Sequence, residues 1–136
     1  MSQKSNYIST NRSKHYLKCH LIFVCKYRKA MLIGQVNDDA KRIFSSIAEN
    51  SDFEIEVMET DKDHVHFLIR YIPRLSSAQI VRRLKQESTR QLSLLHGKIL
   101  RKQYWYQKLF WSDGYFVCSI GEASPETIRQ YILSQG

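Results

Sequence analysis

The sequence predicts an α+β fold: one antiparallel sheet with helices on one of its faces, and a further helix at the C-terminus. Two observations predict it. Short segments with strand-like patterning alternate with two longer segments whose apolar residues recur at helical spacing, and the order reads β-α-β-β-α-β-α. A third observation sets the limit of size: 136 residues supply one core and are too few for two. All of residues 1–136 are therefore expected in a single domain.

Residues 1–14 are polar and read as a loose arm. Tyr16 to Tyr27 (YLKCHLIFVCKY) predicts a strand with Leu21, Ile22, Phe23 and Val24 at its centre. Asn37 or Asp38 can cap a helix in which Ala40, Ile43, Phe44, Ile47 and Ala48 form one stripe. Phe53 to Thr60 (FEIEVMET) alternates, which places Phe53, Ile55 and Val57 on one face. The turn Asp61-Lys62-Asp63 leads into His64 to Tyr71 (HVHFLIRY), and the two strands should pair as an antiparallel hairpin. Ser76 or Ser77 opens a helix to about Leu95, burying Ile80, Val81, Leu84, Ser88, Leu92 and Leu95. A basic, aromatic connector over 96–113 precedes a last strand, Tyr115 to Ile120. Gly121 ends it. Ser124 as cap and Pro125 at the first helical position then start a helix carrying Ile128, Tyr131, Ile132 and Gln135. The first six segments match the split βαβ order of ferredoxin-like (RRM-like) folds, and the last helix is additional.

Lys and Arg number 21 against 13 acidic residues, a net charge of +8. Such an excess favours a polyanionic partner, nucleic acid above all, through counterion release. No run is long and apolar enough to span a membrane, and the N-terminus lacks an apolar signal region, so no membrane partner and a cytoplasmic location are expected. Three cysteines (Cys19, Cys25, Cys118) form no CxxC pair and are odd in number, which points to a reducing compartment and to small core side chains.

Two features carry chemistry. His64 and His66 are two apart on a strand, so they share a face, opposite Val65, Phe67 and Ile69. Two neutral imidazoles side by side make a bidentate metal site, and Asp61 and Asp63 just upstream are candidate direct or second-layer oxygen donors. The alternatives are a half-exposed histidine pair without a ligand and a simple Asp-Lys-Asp turn. Tyr131 and Gln135 stand four apart on one face of the last helix, where the alternative is an aromatic packed on the sheet.

His64-Val65-His66 followed by Tyr131-Ile132-Leu133-Ser134-Gln135 resembles the HUH and Y-x-x-x-Q motifs of the single-tyrosine HUH transposases (TnpA-like) of small bacterial insertion sequences. Cys25-Lys26-Tyr27-Arg28-Lys29, the stretch from Thr60 to His66, and Trp111-Ser112-Asp113-Gly114-Tyr115-Phe116 extend the resemblance to nearly the whole chain from about residue 14. The resemblance implies a divalent metal, Mg²⁺ or Mn²⁺, held by His64, His66 and Gln135, and Tyr131 as the nucleophile that forms a 5′-phosphotyrosine link. It implies single-stranded DNA folded into hairpins as substrate, and a homodimer whose subunits share their sites, with the connector from Gly121 to Ser124 able to swing the last helix. Lys26, Arg28, Lys29, Arg82, Arg83 and Lys85 are candidate phosphate contacts, and Tyr104, Trp105, Tyr106 and Trp111 candidate stacking surfaces. Two other readings stand beside this one. One is a relaxase-like or replication-initiator nickase of the same chemistry; the other is a non-catalytic nucleic-acid-binding module of the same fold.

Overall fold

The computed structural model describes residues 8–10, 13–15, 17–105, 107, 109–119 and 124–135. Tyr16, Tyr106, Lys108, Ile120 and the connector residues Gly121, Glu122 and Ala123 lie outside the described residues, as does most of the expected arm. Part of that arm is ordered into a hairpin: β1 (Ile8–Thr10) pairs antiparallel with β2 (Ser13–His15). The polar composition of this stretch concealed two three-residue strands, too short for a period to show.

The main sheet follows. Strand β3 (Leu17–Val24) ends in a single 3-10 turn, Lys26–Arg28, and helix α1 (Gly34–Glu49) comes next. Strands β4 (Phe53–Asp61) and β5 (His64–Tyr71) form the expected hairpin, and α2 (Ser77–Gln103), β6 (Phe116–Ser119) and α3 (Pro125–Ser134) complete the chain. The strand order β4-β5-β3-β6, antiparallel throughout, is the ferredoxin-like one.

Both interior helices reach further than their patterns suggest. Helix α1 begins three residues before Asn37, because Gly34 takes a positive φ of 56° and starts the turn without a side-chain cap. Asp39 is thereby turned inward, toward α2. Helix α2 opens on Ser76 with a full capping box shared with Gln79, a reciprocal pair of contacts that contributes about 1 kcal/mol. It continues past Leu95 through non-helical backbone at His96 (φ −129°, ψ 31°). His96 Nε2 meets Asp39 Oδ2 at 2.7 Å there, tying the bend to α1. The bend changes the helix's phase, so Leu95 is exposed and Leu100 is the buried residue of the last turns.

Alternation sorts the sheet into two faces. Leu21, Phe23, Val65, Phe67 and Ile69 point to the helices and pack with Ile43, Phe44, Ile80, Leu84 and Leu92. Phe44 meets Phe67 edge-on at 4.9 Å, and Phe23 meets Phe67 and Trp111 in the same manner. Cys19 and Cys25 are buried fillers, their thiols pushed up to about 11 and about 12 by burial and so unreactive.

One facing expectation is corrected. The register steps between Ile55, opposite Ile69, and Val57, opposite Leu68, which makes Glu56 the extra residue of a bulge. This bulge turns Val57 out of the row of Phe53 and Ile55 and leaves it 41% exposed. Met58 and Thr60 then share the helix side, while Glu59 and Asp61 join the other face.

Candidate active site

The second face carries the polar chemistry. Strand β5 places His64 and His66 about 7 Å apart along its length, on the side away from α1 and α2. Register supplies their neighbours. Val24 and Ile22 of β3 stand opposite His64 and His66 on one side, and Asp61 and Glu59 of β4 stand opposite them on the other. Both rings are half-buried.

Each imidazole is oriented by a partner. His64 Nδ1 lies 2.9 Å from Asp63 Oδ1. The Asp-Lys-Asp turn thus acts through Asp63 on the histidine, while Lys62 adopts a positive φ of 37° to make the bend. His66 Nε2 lies 2.9 Å from His20 Nδ1. Burial, then the adjacent His20, push the His66 imidazole below its ordinary value, so it sits in the neutral form that a metal ligand requires.

His20 was not singled out from the sequence. The signal was present, since His20 shares parity with Ile22 and Val24 on β3, but it becomes visible only once β3 is paired with β5.

Tyr131 comes to the same face. Phe116 of β6 is the cross-strand neighbour of Ile22, so His66, Ile22 and Phe116 form one row across the sheet. The Tyr131 ring rests on Phe116 with 5.6 Å between centroids. Its hydroxyl is buried without a hydrogen-bond partner among the described residues, and a Cβ placed on Gly114 would meet it at 3.8 Å. Burial pushes the phenol up, so it is held protonated in this position. Gln135 follows as the C-cap of α3, its backbone N–H reaching Ile132 and Leu133 and its side-chain amide donating to Ser134 Oγ at 3.1 Å.

The loop under Tyr131 is fixed from the helix side. Lys85 Nζ donates to the carbonyls of Ser112 (2.7 Å), Asp113 (3.3 Å) and Gly114 (2.7 Å), and lies over the rings of Phe23 and Tyr115. Burial pushes its ammonium down to about 8. With its donors spent on three carbonyls, Lys85 is placed as an anchor of the loop on which the tyrosine rests, a different place from the phosphate contact expected of it.

The other basic residues divide. Lys26, Arg28 and Lys29 follow β3 directly, and Cys25 N–H donates to the Asp63 carbonyl at 2.8 Å, which sets this turn at the His64 end of the sheet. Lys26 pairs with Asp113 at 3.3 Å. Arg82 and Arg83 stand exposed on α2, beyond the helix layer, with Arg83 donating to the Asn50 carbonyl; the structure does not bring them to the histidines. Of the described aromatics, Tyr104 and Trp111 are core: the Tyr104 hydroxyl donates to the Lys26 carbonyl, and Trp111 Nε1 to Ser88 Oγ. Trp105 is exposed.

An imidazole pair and a helix-borne tyrosine on the face of a ferredoxin-like sheet away from α1 and α2 form a layout suited to an enzyme that handles nucleic-acid strands. The chain belongs to the IS200-like transposases, whose family model (Transposase IS200 like) matches residues 13–135. It is accordingly a DNA-cleaving and strand-transferring enzyme. The ISDra2 transposase TnpA of Deinococcus radiodurans is 33% identical over 121 residues, 89% of this chain and 85% of that one. The transposase for insertion sequence element IS200 of Salmonella typhimurium is 28% identical over 118 residues, 87% of this chain and 76% of that one. A crystal structure of a Deinococcus radiodurans R1 protein described as a transposase is similar with a TM-score of 0.82 at 29% identity, covering 99% of this chain and 98% of that one. The fold is shared with a REP-associated tyrosine transposase bound to a REP hairpin, with a TM-score of 0.57 at 14% identity over 92% of this chain and 68% of that one.

Proposed function

We propose that this transposase nicks and rejoins single-stranded DNA at insertion-sequence ends, using Tyr131 as nucleophile and recognising hairpin DNA. The observation that carries the reading is the shared face: Tyr131 rests on Phe116, in the same cross-strand row as His66. The Tyr131 oxygen bonds to phosphorus as the bond from phosphorus to the 3′ oxygen opens, leaving a 5′-phosphotyrosine and a free 3′ hydroxyl. The phosphoester is conserved in that link, so a second 3′ hydroxyl can reverse the step and join strands.

His64, His66 and Gln135 are the residues that would hold Mg²⁺ or Mn²⁺. The donor set fits in its chemistry: His66 is kept neutral, and Asp63 orients His64. Among the described residues no group of three or more His, Cys, Asp or Glu side chains is gathered for a metal, and in this reading the third donor is the amide of Gln135. Bound there, the metal would supply polarisation of the scissile phosphate.

The chain's own part is positional. His20 holds His66, Lys85 holds the loop over 112–114, and that loop receives the Tyr131 hydroxyl. In this position the phenol is protonated and shielded, so attack requires that α3 move the hydroxyl off Gly114.

We propose further a homodimer in which the tyrosine helix of one subunit serves the histidines of the other, in a cytoplasmic protein. Among the described residues no helix is long and apolar enough to cross a membrane. Protein, Mn²⁺ and a hairpin oligonucleotide from the element's ends should give a covalent adduct on a denaturing gel, absent with Tyr131→Phe. An undiminished adduct in that variant would sink the assignment. Mixing His64→Ala with Tyr131→Phe protein should restore cleavage if the sites are shared, and leave none if each subunit works alone.

A further inference from the structure

Four described residues other than glycine have positive φ, and three of them meet at one spot: Tyr27 (59°), Arg28 (54°) and Trp105 (51°). The left-handed region costs a residue with a Cβ roughly 1 kcal/mol or more, so such a cluster persists only where the surroundings hold it. What holds it is visible. Buried Tyr104 donates its hydroxyl to the Lys26 carbonyl at 3.2 Å and lies under Tyr27 at 6.4 Å between ring centroids. The result is two large aromatics pushed outward. Tyr27 is 51% exposed and Trp105 64% exposed, and their rings stand nearly perpendicular (75°) with centroids 5.6 Å apart.

Cations line this notch. Lys29 Nζ lies 5.2 Å from the Trp105 ring and Lys26 Nζ 5.5 Å from the Tyr27 ring, with Arg28 between them in sequence. Lys29 is also steadied by Gln103 Oε1 at 3.4 Å. An exposed aromatic pair without charge would suit a protein partner; one flanked by Lys26 and Lys29 suits a polyanion that carries flat rings. The position agrees. The turn continues β3 beyond Val24, the neighbour of His64, so the notch lies at the histidine end of the sheet.

We propose that Trp105 and Tyr27 form a stacking site for an unpaired nucleobase of single-stranded DNA. Trp105 supplies the flat surface, Tyr27 the wall, and Lys26, Arg28 and Lys29 the contacts to the flanking phosphates. This rests on the single-stranded DNA reading above and adds a subsite to it.

The test compares full-length wild type with Trp105→Ala and Lys29→Ala, on a mixed-sequence single strand and on the same strand with abasic positions throughout. Trp105→Ala should weaken binding of the ordinary strand about tenfold, leave binding of the abasic strand unchanged, and keep the salt slope. Trp105→Phe should recover most of the loss. Lys29→Ala should weaken both strands equally and make the salt slope shallower by about one. Wild-type affinity in Trp105→Ala, or an equal loss on both strands, would overturn the stacking site. So would normal DNA binding with lost self-association in sedimentation, which would make the notch a protein interface. If Trp105→Ala binds as wild type while hairpin cleavage persists, only the stacking site falls. If wild type neither binds nor cuts single strands, the parent reading falls with it.

Discussion

The two faces of the sheet are made from the same strands and follow opposite rules. Toward the helices, Leu21, Phe23, Val65, Phe67 and Ile69 close against one another and against α1 and α2, without polar groups to satisfy. On the other face the same strands present His20, His64 and His66, with Glu59 and Asp61 beside them, and Arg70 between Glu54 (3.6 Å) and Glu56 (3.7 Å). Tyr131, packed on this side against Phe116, keeps a buried hydroxyl without a hydrogen-bond partner among the described residues. A buried polar atom left so costs about 1–3 kcal/mol, which a purely structural phenylalanine would avoid. Period-two alternation lets one strand serve stability and chemistry at once, because adjacent residues never compete for a face.

The division is open to test by substitution. Its largest expected effect is at Tyr131→Phe: cleavage should fall on the order of 10³-fold or more, since no other group replaces a nucleophile. The thermal midpoint should stay level or rise, because the unpaired hydroxyl is gone. A clear fall in midpoint would show that the hydroxyl serves the fold.

Neighbouring residues provide the next test. Phe67→Ala should cost about 3–5 kcal/mol in denaturant unfolding. His66→Ala, one residue away, should stay within about 1 kcal/mol while abolishing cleavage. Equal destabilisation by both would mean that the faces are not separable.

Lys85 belongs to the helix side but acts through the loop under Tyr131. Lys85→Ala should cost about 1–3 kcal/mol and slow cleavage more than it weakens DNA binding. Its salt slope of binding should match wild type, whereas Arg82→Ala or Arg83→Ala should make the slope shallower by about one wherever the side chain meets a phosphate. A changed slope in Lys85→Ala would return that residue to the phosphate contacts.

The smallest effect is confined to acid. His96, then Arg42 and Gln35, hold the Asp39 carboxyl down at about 2, against an unfolded value near 3.9. A depressed folded value gives stability that is present above pH about 4 and lost as pH falls through about 2. Asp39→Asn should flatten that part of the acid-unfolding curve and leave DNA cleavage at neutral pH close to wild type.

Much of the architecture was legible in sequence because it rests on local patterns. Ala40, Ile43, Phe44 and Ile47 mark α1, and Ser124 with Pro125 starts α3 where expected. The histidine face of β5 followed from parity alone. What escaped depends on contacts between distant segments. His20 meets His66 through strand pairing across 46 residues, and Lys85 meets the 112–114 loop across 27 to 29. No local pattern distinguishes a lysine that anchors carbonyls from one in water. Likewise, Tyr104, Trp105 and Trp111 look alike in a basic connector; only packing separates two core rings from one exposed ring.

The bulge at Glu56 has a consequence for how this gene tolerates deletion. Removing codon 56 would restore an uninterrupted ladder with Val57, Glu59 and Asp61 still outward and Met58 and Thr60 still inward. The contacts of Glu56 with Lys18 (2.8 Å) and Arg70 would be lost. Removing one codon inside β5 would instead exchange its faces, sending an imidazole toward Phe44 and a phenylalanine into the site. A scan of single-codon deletions across 53–71 should therefore show one permissive position, at the bulge, in an otherwise intolerant hairpin.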